Sequence, residues 1–316
     1  NKMALNTLDF NSRLSGALDK LLIQKAETSF LADNAMRAKF VGTRDVLIPD
    51  LDMQGLGDYD RDDGFNKGSI TVDQKTYTLT MDRGRSFQLD REDEDETGVA
   101  NLAGQILSEF VRTKVAPEVD AYVLSKLATT AVTNAHTVTD SSPATKIYSL
   151  FMKALNGAQD AAGYDEELVC FVDPTVWGYM MSTTEITRQI TVSDFKKGGM
   201  DFQVKSINGT PIIPVTANRM KTAFTFYDGK TESDGAESNP TPDQRPGGFA
   251  PASGANSIGL LVLPKKAAML VKKSERLRTF DPSTNQNADA YLFQYRLYYD
   301  LFVRNSYKDT IFVYKY

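Results

Sequence analysis

Residues 99–127, VANLAGQILSEFVRTKVAPEVDAYVLSKL, decide the fold. Apolar side chains recur there at steps of three and four residues, the spacing of one helix face: Val99, Leu102, Ala103, Ile106, Leu107, Phe110, Val111, Val115, Val119, Tyr122, Val123 and Leu127. Pro117 lies inside this pattern and predicts a kink or a restart of the helix. A helix from Val99 to about Leu127 would span about 40 Å at 1.5 Å per residue, which is long for a globular domain.

An acidic segment precedes the predicted helix. All residues from Asp90 to Glu96 are Asp or Glu except Arg91. Carboxylates stabilise the positive end of a helix dipole, so the run is typical of a solvated helix start.

Farther upstream, two strand-like segments flank a polar stretch. Asp45–Pro49 ends in proline, and residues 51–68 are polar and rich in Asp and Gly. Alternating apolar residues then resume at the even positions Ile70 and Val72. They continue at odd positions, with Tyr77, Leu79 and Met81. The pattern predicts a long β-hairpin with a charged tip and a bulge near Gln74. In the first forty residues, leucines at 14, 18, 21 and 22 predict a short amphipathic surface helix.

Helices and strands alternate downstream of the long helix. Residues 129–143 are predicted to form a loop, and a helix is predicted from Lys146 to Ala162, closed by Gly163. The apolar run Leu168–Val172 indicates a buried strand, and Asp173-Pro174 is typical of a helix start. Asn208-Gly209 predicts a tight turn.

A segment rich in glycine and proline follows, from Gly229 to Ser257, and is predicted to be a long exposed loop. Mostly strands are expected after it, over 258–263, 268–272, 291–303 and 310–314.

Composition excludes several function classes. The chain has 316 residues, 41% hydrophobic and 24% charged, with a net charge of −5, so it can bury a core and is not built to grip nucleic acid over its whole surface. The sequence shows neither a long apolar span nor a signal peptide. Cys170 and His136 are the single cysteine and histidine, which excludes a disulfide framework, zinc fingers and HExxH sites.

The candidate chemical motifs do not form a catalytic site. His136 lies in a predicted loop, no Gly-x-Ser-x-Gly elbow is present, and Cys170 lies within an apolar strand. The aspartates at 58–63 resemble a calcium loop but have Asp63 where glycine is required and Ser69 where glutamate is required. No phosphate-binding glycine loop occurs. A basic stretch is typical of a solvated sheet face, with nucleic-acid contact as an alternative: Lys265, Lys266, Lys272, Lys273, Arg276 and Arg278. We therefore expect no catalytic residue, no cofactor and no metal.

Four motifs together resemble the major capsid proteins of tailed bacteriophages, which have the Hong Kong 97-type fold. They are Gly55-Leu56-Gly57-Asp58-Tyr59-Asp60-Arg61, Asp82-Arg83-Gly84-Arg85-Ser86-Phe87, Lys114-Val115-Ala116-Pro117-Glu118-Val119-Asp120-Ala121-Tyr122 and Leu297-Tyr298-Tyr299-Asp300. The resemblance covers nearly the whole chain from about residue 40.

The resemblance implies an α+β fold with four parts. Residues 1–45 would be an N-terminal arm that crosses onto neighbours, and 46–81 an extended β-hairpin loop over the adjacent subunit. Residues 82–145 and 258–316 would form a peripheral domain with a long spine helix, and 146–257 an axial domain.

The resemblance also implies a function. The chain would be a structural protein that assembles from pentamers and hexamers into an icosahedral phage head in the host cytoplasm. The shell would enclose double-stranded DNA without sequence-specific binding, without a membrane, and with scaffold, portal and decoration proteins as partners. The expected inter-subunit contacts are the hairpin residues Met53, Asp58, Tyr59, Asp60, Arg61, Asp62, Asp63, Phe65 and Lys67. The alternatives are an encapsulin-type shell around an enzyme cargo and a carboxylate-based hydrolase.

Overall fold

The computed structural model describes residues 17–18, 20–37, 39–41, 44–53, 59, 61, 70–90, 102–139, 143–197, 200–229, 247–280, 282–285 and 289–316. The helices are α1 (Leu102–Phe110), α2 (Ala116–Thr133), α3 (Pro143–Ala162), α4 (Pro174–Ser182) and α5 (Thr184–Thr187), with 3-10 helices at Ser29–Arg37 and Asn305–Thr310. The strands are β1 (Lys39–Val41), β2 (Asp45–Met53), β3 (Ile70–Thr78), β4 (Met81–Asp90), β5 (Thr137–Val138), β6 (Leu168–Val172), β7 (Ile190–Lys197), β8 (Met200–Ile207), β9 (Thr210–Pro214), β10 (Phe224–Tyr227), β11 (Gly248–Pro251), β12 (Ile258–Pro264), β13 (Ala268–Phe280), β14 (Ala290–Val303) and β15 (Phe312–Lys315).

The predicted long helix is present and contains a π-helical segment, Val111–Val115, directly between α1 and α2. Phe110 and Ala116 both have helical dihedral angles, so the chain remains helical throughout. Pro117 has no amide hydrogen for Thr113, and its ring would crowd that carbonyl in a regular turn. The wider π turn relieves this conflict. We call α1, the π segment and α2 together the long helix.

The seven-stranded sheet has the order β5-β15-β12-β6-β9-β8-β7. Its central strands β6 and β12 are buried along their whole length. Val169 and Phe171 face the core that contains the long helix, whereas Cys170 faces the core that contains α3. The continuous apolar run at Leu168–Val172 therefore reflects burial of both faces.

A three-stranded antiparallel sheet, with the order β13-β14-β4, packs on the long helix. Phe293, Tyr295, Leu297 and Tyr299 of β14 are buried in the same core as α2. From β4, Phe87 contacts Phe110 at a ring-centroid distance of 4.8 Å.

Several local predictions are confirmed. Helix α3 ends before Gly163, which has a φ of 91°. The Asp173 carboxylate accepts a hydrogen bond from the Thr175 amide at 3.1 Å and caps α4. Asn208 and Gly209, with φ of 50° and 77°, form the turn between β8 and β9.

Three local predictions are wrong. The loop expected over 129–143 is partly regular structure, because the long helix continues to Thr133 and β5 pairs with β15. No bulge occurs near Gln74, because β2 and β3 keep one register from Asp45 with Thr78 to Met53 with Ile70. The expected loop after Gly229 contains β11, which pairs with β10. Residues 230–246 lie outside the described residues.

The N-terminal segment packs on its own subunit where it is described. Residues 20–25 are helical. Buried apolar side chains from this segment join the core of the long helix, and each is at most 1% exposed: Leu18, Leu22, Ala26, Phe30 and Leu31. The predicted helix is thus present but is buried on one side. The crossing of an N-terminal arm onto neighbours and the four domain boundaries stay predictions.

None of the helices in the described part of the chain combines the length and the apolar character needed to cross a bilayer.

Candidate assembly interface

The hairpin expected to contact a neighbour is a two-stranded ribbon over nine residue pairs. The ribbon spans about 27 Å, from eight steps of ~3.4 Å. Of the predicted contact residues, Met53 ends β2, and Tyr59 and Arg61 are exposed. Asp58, Asp60, Asp62, Asp63, Phe65 and Lys67 lie outside the described residues.

A small apolar cluster fixes the root of this ribbon to the subunit. Val46 and Leu79 are buried there, on Met269, Val271, Tyr298 and Phe302 of the three-stranded sheet. The Tyr77 ring lies 4.9 Å from the Phe302 ring. β1 adds a third strand to the ribbon next to β2. Within the described side chains, the ribbon's buried apolar contacts with its own subunit therefore lie at its root.

An ion cluster surrounds the same root. The Asp82 carboxylate accepts hydrogen bonds from the Arg296 guanidinium at 2.9 and 2.7 Å and from Arg44 at 2.7 Å. Both guanidinium groups lie over the Tyr298 ring, at 4.6 Å for Arg296 and 5.6 Å for Arg44. The hydrogen bond from Arg296 is the main cause that lowers the pKa of Asp82. The Asp82 carboxylate thus joins the ribbon to β14. Because two guanidinium groups share this one carboxylate, the cluster has one positive charge in excess.

A second carboxylate connects the root to the long helix. Asp300 of β14 is 1% exposed and accepts hydrogen bonds from the Thr80 hydroxyl at 2.8 Å, the Tyr122 hydroxyl at 2.6 Å and the Lys126 ammonium at 2.5 Å. Burial raises the pKa of Asp300, but the hydrogen bonds from Lys126 and Tyr122 outweigh burial and leave this pKa below its usual value. Thr80 lies between β3 and β4, so the ribbon and the helix share one anchor.

A third ion pair joins β4 to the long helix and to the β10–β11 ribbon. The Arg83 guanidinium donates to Glu118 at 2.6 and 3.2 Å. Its other donors reach the carbonyl oxygens of Tyr227 at 2.6 Å and Gly248 at 3.1 Å. A cavity of about 570 Å³ opens beside this pair. β4, the long helix, β10 and β11 therefore meet around the Arg83 guanidinium.

A fourth cluster fixes the N-terminal segment. The Asp120 carboxylate, fully buried on the long helix, accepts from the amides of Glu27 at 2.9 Å and Thr28 at 3.0 Å and from Arg219 at 2.9 Å. Burial raises the pKa of Glu27, although Lys197, 3.4 Å away, opposes this shift. Sequence reasoning did not assign a role to Asp120, because its partners lie 92 and 93 residues before it and 99 residues after it along the chain.

The strands β15 and β12 of the seven-stranded sheet separate β6, which contains Cys170, from β5, which follows His136. Cys170 is fully buried in β6, and burial raises the pKa of its thiol. His136 lies between α2 and β5 and packs on the Phe312 ring at 4.6 Å. Within the described ranges, no group of three or more His, Cys, Asp or Glu side chains is arranged to hold a metal ion.

Comparison with known proteins supports the fold and finds no relative in sequence. No family model and no curated protein sequence matches this chain. A virus-like particle from Pyrococcus furiosus is similar in structure, with a TM-score of 0.54 and 10% identity over 96% of this chain and 99% of that chain. The capsid of cyanophage P-SCSP1u gives a TM-score of 0.51 and 13% identity over 88% of this chain and 84% of that chain. A structure from Gordonia phage Cozz gives a TM-score of 0.53 and 15% identity over 92% of this chain and 87% of that chain.

The chain thus shares its fold with a virus-like particle from Pyrococcus furiosus and with the capsid of cyanophage P-SCSP1u. This is the Hong Kong 97-type fold that the resemblance of its motifs implied. At identities of 10–15%, this likeness concerns the fold.

Proposed function

We propose that this chain is a structural subunit of a tailed-phage head and not an enzyme. Copies assemble through pentamers and hexamers in the host cytoplasm into an icosahedral shell around double-stranded DNA, with scaffold, portal and decoration proteins as partners. The similarity in fold to the cyanophage P-SCSP1u capsid supports this proposal. The net charge of −5 is also suitable for a container that must not adhere to its nucleic-acid cargo.

The observation that carries the proposal is the ribbon formed by β2 and β3. A two-stranded ribbon is marginally stable in water by itself, and the described side chains place its apolar anchor at the root, with Val46 and Leu79. Its far part therefore requires a second surface. A neighbouring copy supplies such a surface in a shell, because long projections give repeated contacts around symmetry axes.

In this proposal, the hairpin residues named from the sequence form the contact with the neighbour. Tyr59 and Arg61 are already exposed in the isolated subunit, Tyr59 to 60%. The remaining charges around them make the contact sensitive to ionic strength.

The test replaces residues 53–68 with Asn-Gly in the full chain. We expect a soluble protein with cooperative unfolding that forms no shells in electron micrographs, whereas the unmodified chain forms shells. A finer pair of variants compares Tyr59→Ser with Tyr164→Ser, which removes an exposed tyrosine (77%) from a turn outside the ribbon. Assembly should be reduced only by Tyr59→Ser.

The content and size of the particles distinguish the alternatives. Shells that contain DNA in the native host support the phage head. Shells that enclose a protein cargo would indicate an encapsulin-type compartment instead. A small oligomer from the unmodified chain, or normal shells from the shortened chain, would overturn the proposal.

A further inference from the structure

The cavity beside Arg83 lies between several parts of the fold. Its volume of about 570 Å³ is within the ~300–1,000 Å³ usual for sites that bind small molecules. β4, β14 and the long helix all contribute to its lining. Further lining comes from residues 227–229 and 247–248, which we call the base of the β10–β11 ribbon.

The cavity changes in character along β4. At one end, Arg83 donates hydrogen bonds to Glu118. Near the other end, the Phe110 ring packs edge-to-face against Phe87 at 4.8 Å and against Tyr295 at 5.9 Å. Four steps of ~3.3 Å along β4 separate the two ends, which gives about 13 Å. One end of the cavity is therefore charged and the other is aromatic.

The π-helical segment contributes to this cavity directly. Lys114 and Val115 belong to the segment and are part of the lining. Single π turns inside α-helices occur frequently at functional sites. The wide turn relieves the conflict at Pro117, and its position beside the cavity is a second indication of a binding site.

The charges of the lining favour an anion. Six charged residues line the cavity: Asp82, Arg83, Arg85, Lys114, Glu118 and Asp228. Two of the acids bind arginines, since Asp82 pairs with the guanidinium groups at the hairpin root and Glu118 pairs with Arg83. Of the other three, Arg85 and Lys114 are cations, so one positive charge is in excess. An excess cation in a partly enclosed site attracts an anionic group.

Two glycines allow the chain to approach the Arg85 guanidinium closely. Gly229 and Gly247 have φ of 66° and 59°, values that glycine adopts readily. A Cβ atom at Gly229 would lie 2.9 Å from Nη1 of Arg85, and a Cβ atom at Gly247 would lie 3.4 Å from it. The backbone at the base of the ribbon therefore packs on this guanidinium and positions it before any ligand binds, which lowers the cost of binding.

We propose that the cavity binds a small aromatic anion, a planar ring that carries a carboxylate, sulfonate or phosphate group. The ring packs against Phe110 and Tyr295, and the anionic group lies beside Arg85 and Lys114. The ligand then contacts the long helix, the three-stranded sheet and the base of the β10–β11 ribbon together. This inference goes beyond the proposed function and does not depend on shell assembly.

Isothermal titration calorimetry of the full chain with naphthalene-2-sulfonate tests the inference. We expect saturable binding at one site per chain. Two matched probes each lack half of the ligand, because octane-1-sulfonate has no ring and 2-naphthol has no charge at neutral pH. Each of them should bind at least about tenfold more weakly, a difference of ~1.4 kcal/mol.

Variants of the π-helical segment locate the site. Lys114→Met removes a cation of the lining and should weaken binding of naphthalene-2-sulfonate about tenfold, with unchanged thermal unfolding because Lys114 is exposed. Arg112→Met is the matched control, since Arg112 is an exposed cation of the same segment and is not among the described residues that line the cavity. It should bind the probe as the unmodified chain does. Val115→Phe places a larger side chain in the cavity and should abolish binding.

A second measurement follows the consequence of binding. Saturating naphthalene-2-sulfonate should slow amide hydrogen exchange in β10 and β11, because the ligand contacts the base of their ribbon. Exchange in β7 and β8, which do not line the cavity in the described structure, should stay the same.

Free aromatic acids and mononucleotides both have the chemistry of the proposed ligand. Titration with 2-naphthoate and with thymidine 5′-monophosphate distinguishes these two sources, and the tighter of the two identifies the class. Failure of both to bind would overturn the inference.

The inference also fails if naphthalene-2-sulfonate does not saturate one site, or if 2-naphthol binds as tightly. It fails as well if either Lys114→Met or Val115→Phe binds the probe as tightly as the unmodified chain. An unmodified chain that forms no shells would overturn the proposed function alone, because none of these measurements requires shells.

Discussion

The ammonium group of Lys126 lies 2.5 Å from a carboxylate oxygen of Asp300, and the Asp300 side chain is only 1% exposed. This pair joins the long helix to β14. Thr80, at the start of the hairpin root, donates to the same carboxylate at 2.8 Å. The hairpin root and the long helix are therefore both bound to one buried acidic group.

We expect Asp300→Asn to lower the free energy of unfolding by about 2 kcal/mol, because hydrogen bonds to a charged group are worth ~1.5–3 kcal/mol and Lys126 is partly exposed. Urea denaturation of the full chain measures the change. Asp201→Asn, an exposed residue of β8, is the control and should have little effect. Equal losses in the two variants would contradict the anchoring role of Asp300.

The same variant should change the dependence of stability on pH. The pKa of Asp300 and that of Asp82 both lie below the usual value in the folded chain. Such groups stabilise the fold above the unfolded pKa of about 3.9 and lose this effect as the pH falls through the lower folded pKa. The difference in stability between wild type and Asp300→Asn should thus be constant from about pH 7 to 5 and shrink below about pH 4. A difference that grows in acid would contradict this linkage.

Much of the fold could be predicted, because local chemistry is strong in particular places. The helical spacing before and after Pro117, the cap at Asp173 and the turn at Asn208-Gly209 each depend on neighbouring residues alone. The π segment is different, since a proline inside a helical pattern allows a kink, a restart or a wide turn. The sequence did not predict that the helix continues beyond Leu127, because threonine and alanine fill every position from 128 to 133 except Val132 and give little apolar periodicity.

The contacts between different helices and strands could be identified only from the structure. Arg83 and Glu118 lie in separate motifs of the sequence, and so do Tyr122 and Asp300. The spacing of the motifs does not predict that these residues form pairs. The motifs quoted for the family resemblance nevertheless contain both members of each pair. The described structure thus gives these three motifs a shared physical role at the hairpin root and the long helix.

Two glycines should respond in opposite ways to alanine. A Cβ atom at Gly259 in β12 would lie 2.6 Å from the Tyr314 ring and 3.0 Å from Val176, both buried, so Gly259→Ala should cost about 1–3 kcal/mol. At Gly178 in α4, a Cβ atom meets nothing within 4 Å. Gly178→Ala should therefore stabilise the fold by up to ~1 kcal/mol through helix propensity. Thermal unfolding of both variants provides the comparison, and a gain in stability for Gly259→Ala would show that the Tyr314 ring moves freely.

Arg83 should be required for docking of the β10–β11 ribbon. Arg83→Ala leaves Glu118, whose side chain is 12% exposed, without its guanidinium and removes the donor to the carbonyls of Tyr227 and Gly248. We expect a loss of roughly 2 kcal/mol in the free energy of unfolding and faster amide hydrogen exchange in β10 and β11. Arg83→Lys should restore only part of both, because an ammonium group cannot serve three acceptors in the fixed geometry of the guanidinium fork.

The control for this prediction is Arg112→Ala, which removes an exposed ion pair with Glu109. Both residues lie in the long helix, which also contains Glu118. Exposed pairs contribute little to stability, so neither the unfolding transition nor the exchange in β10 and β11 should change. If Arg83→Ala destabilises the chain but leaves exchange in β10 and β11 as in wild type, Arg83 supports the long helix alone. The β10–β11 ribbon must then be held by its aromatic contacts with the long helix, among them Phe226 with Tyr122 at 5.9 Å.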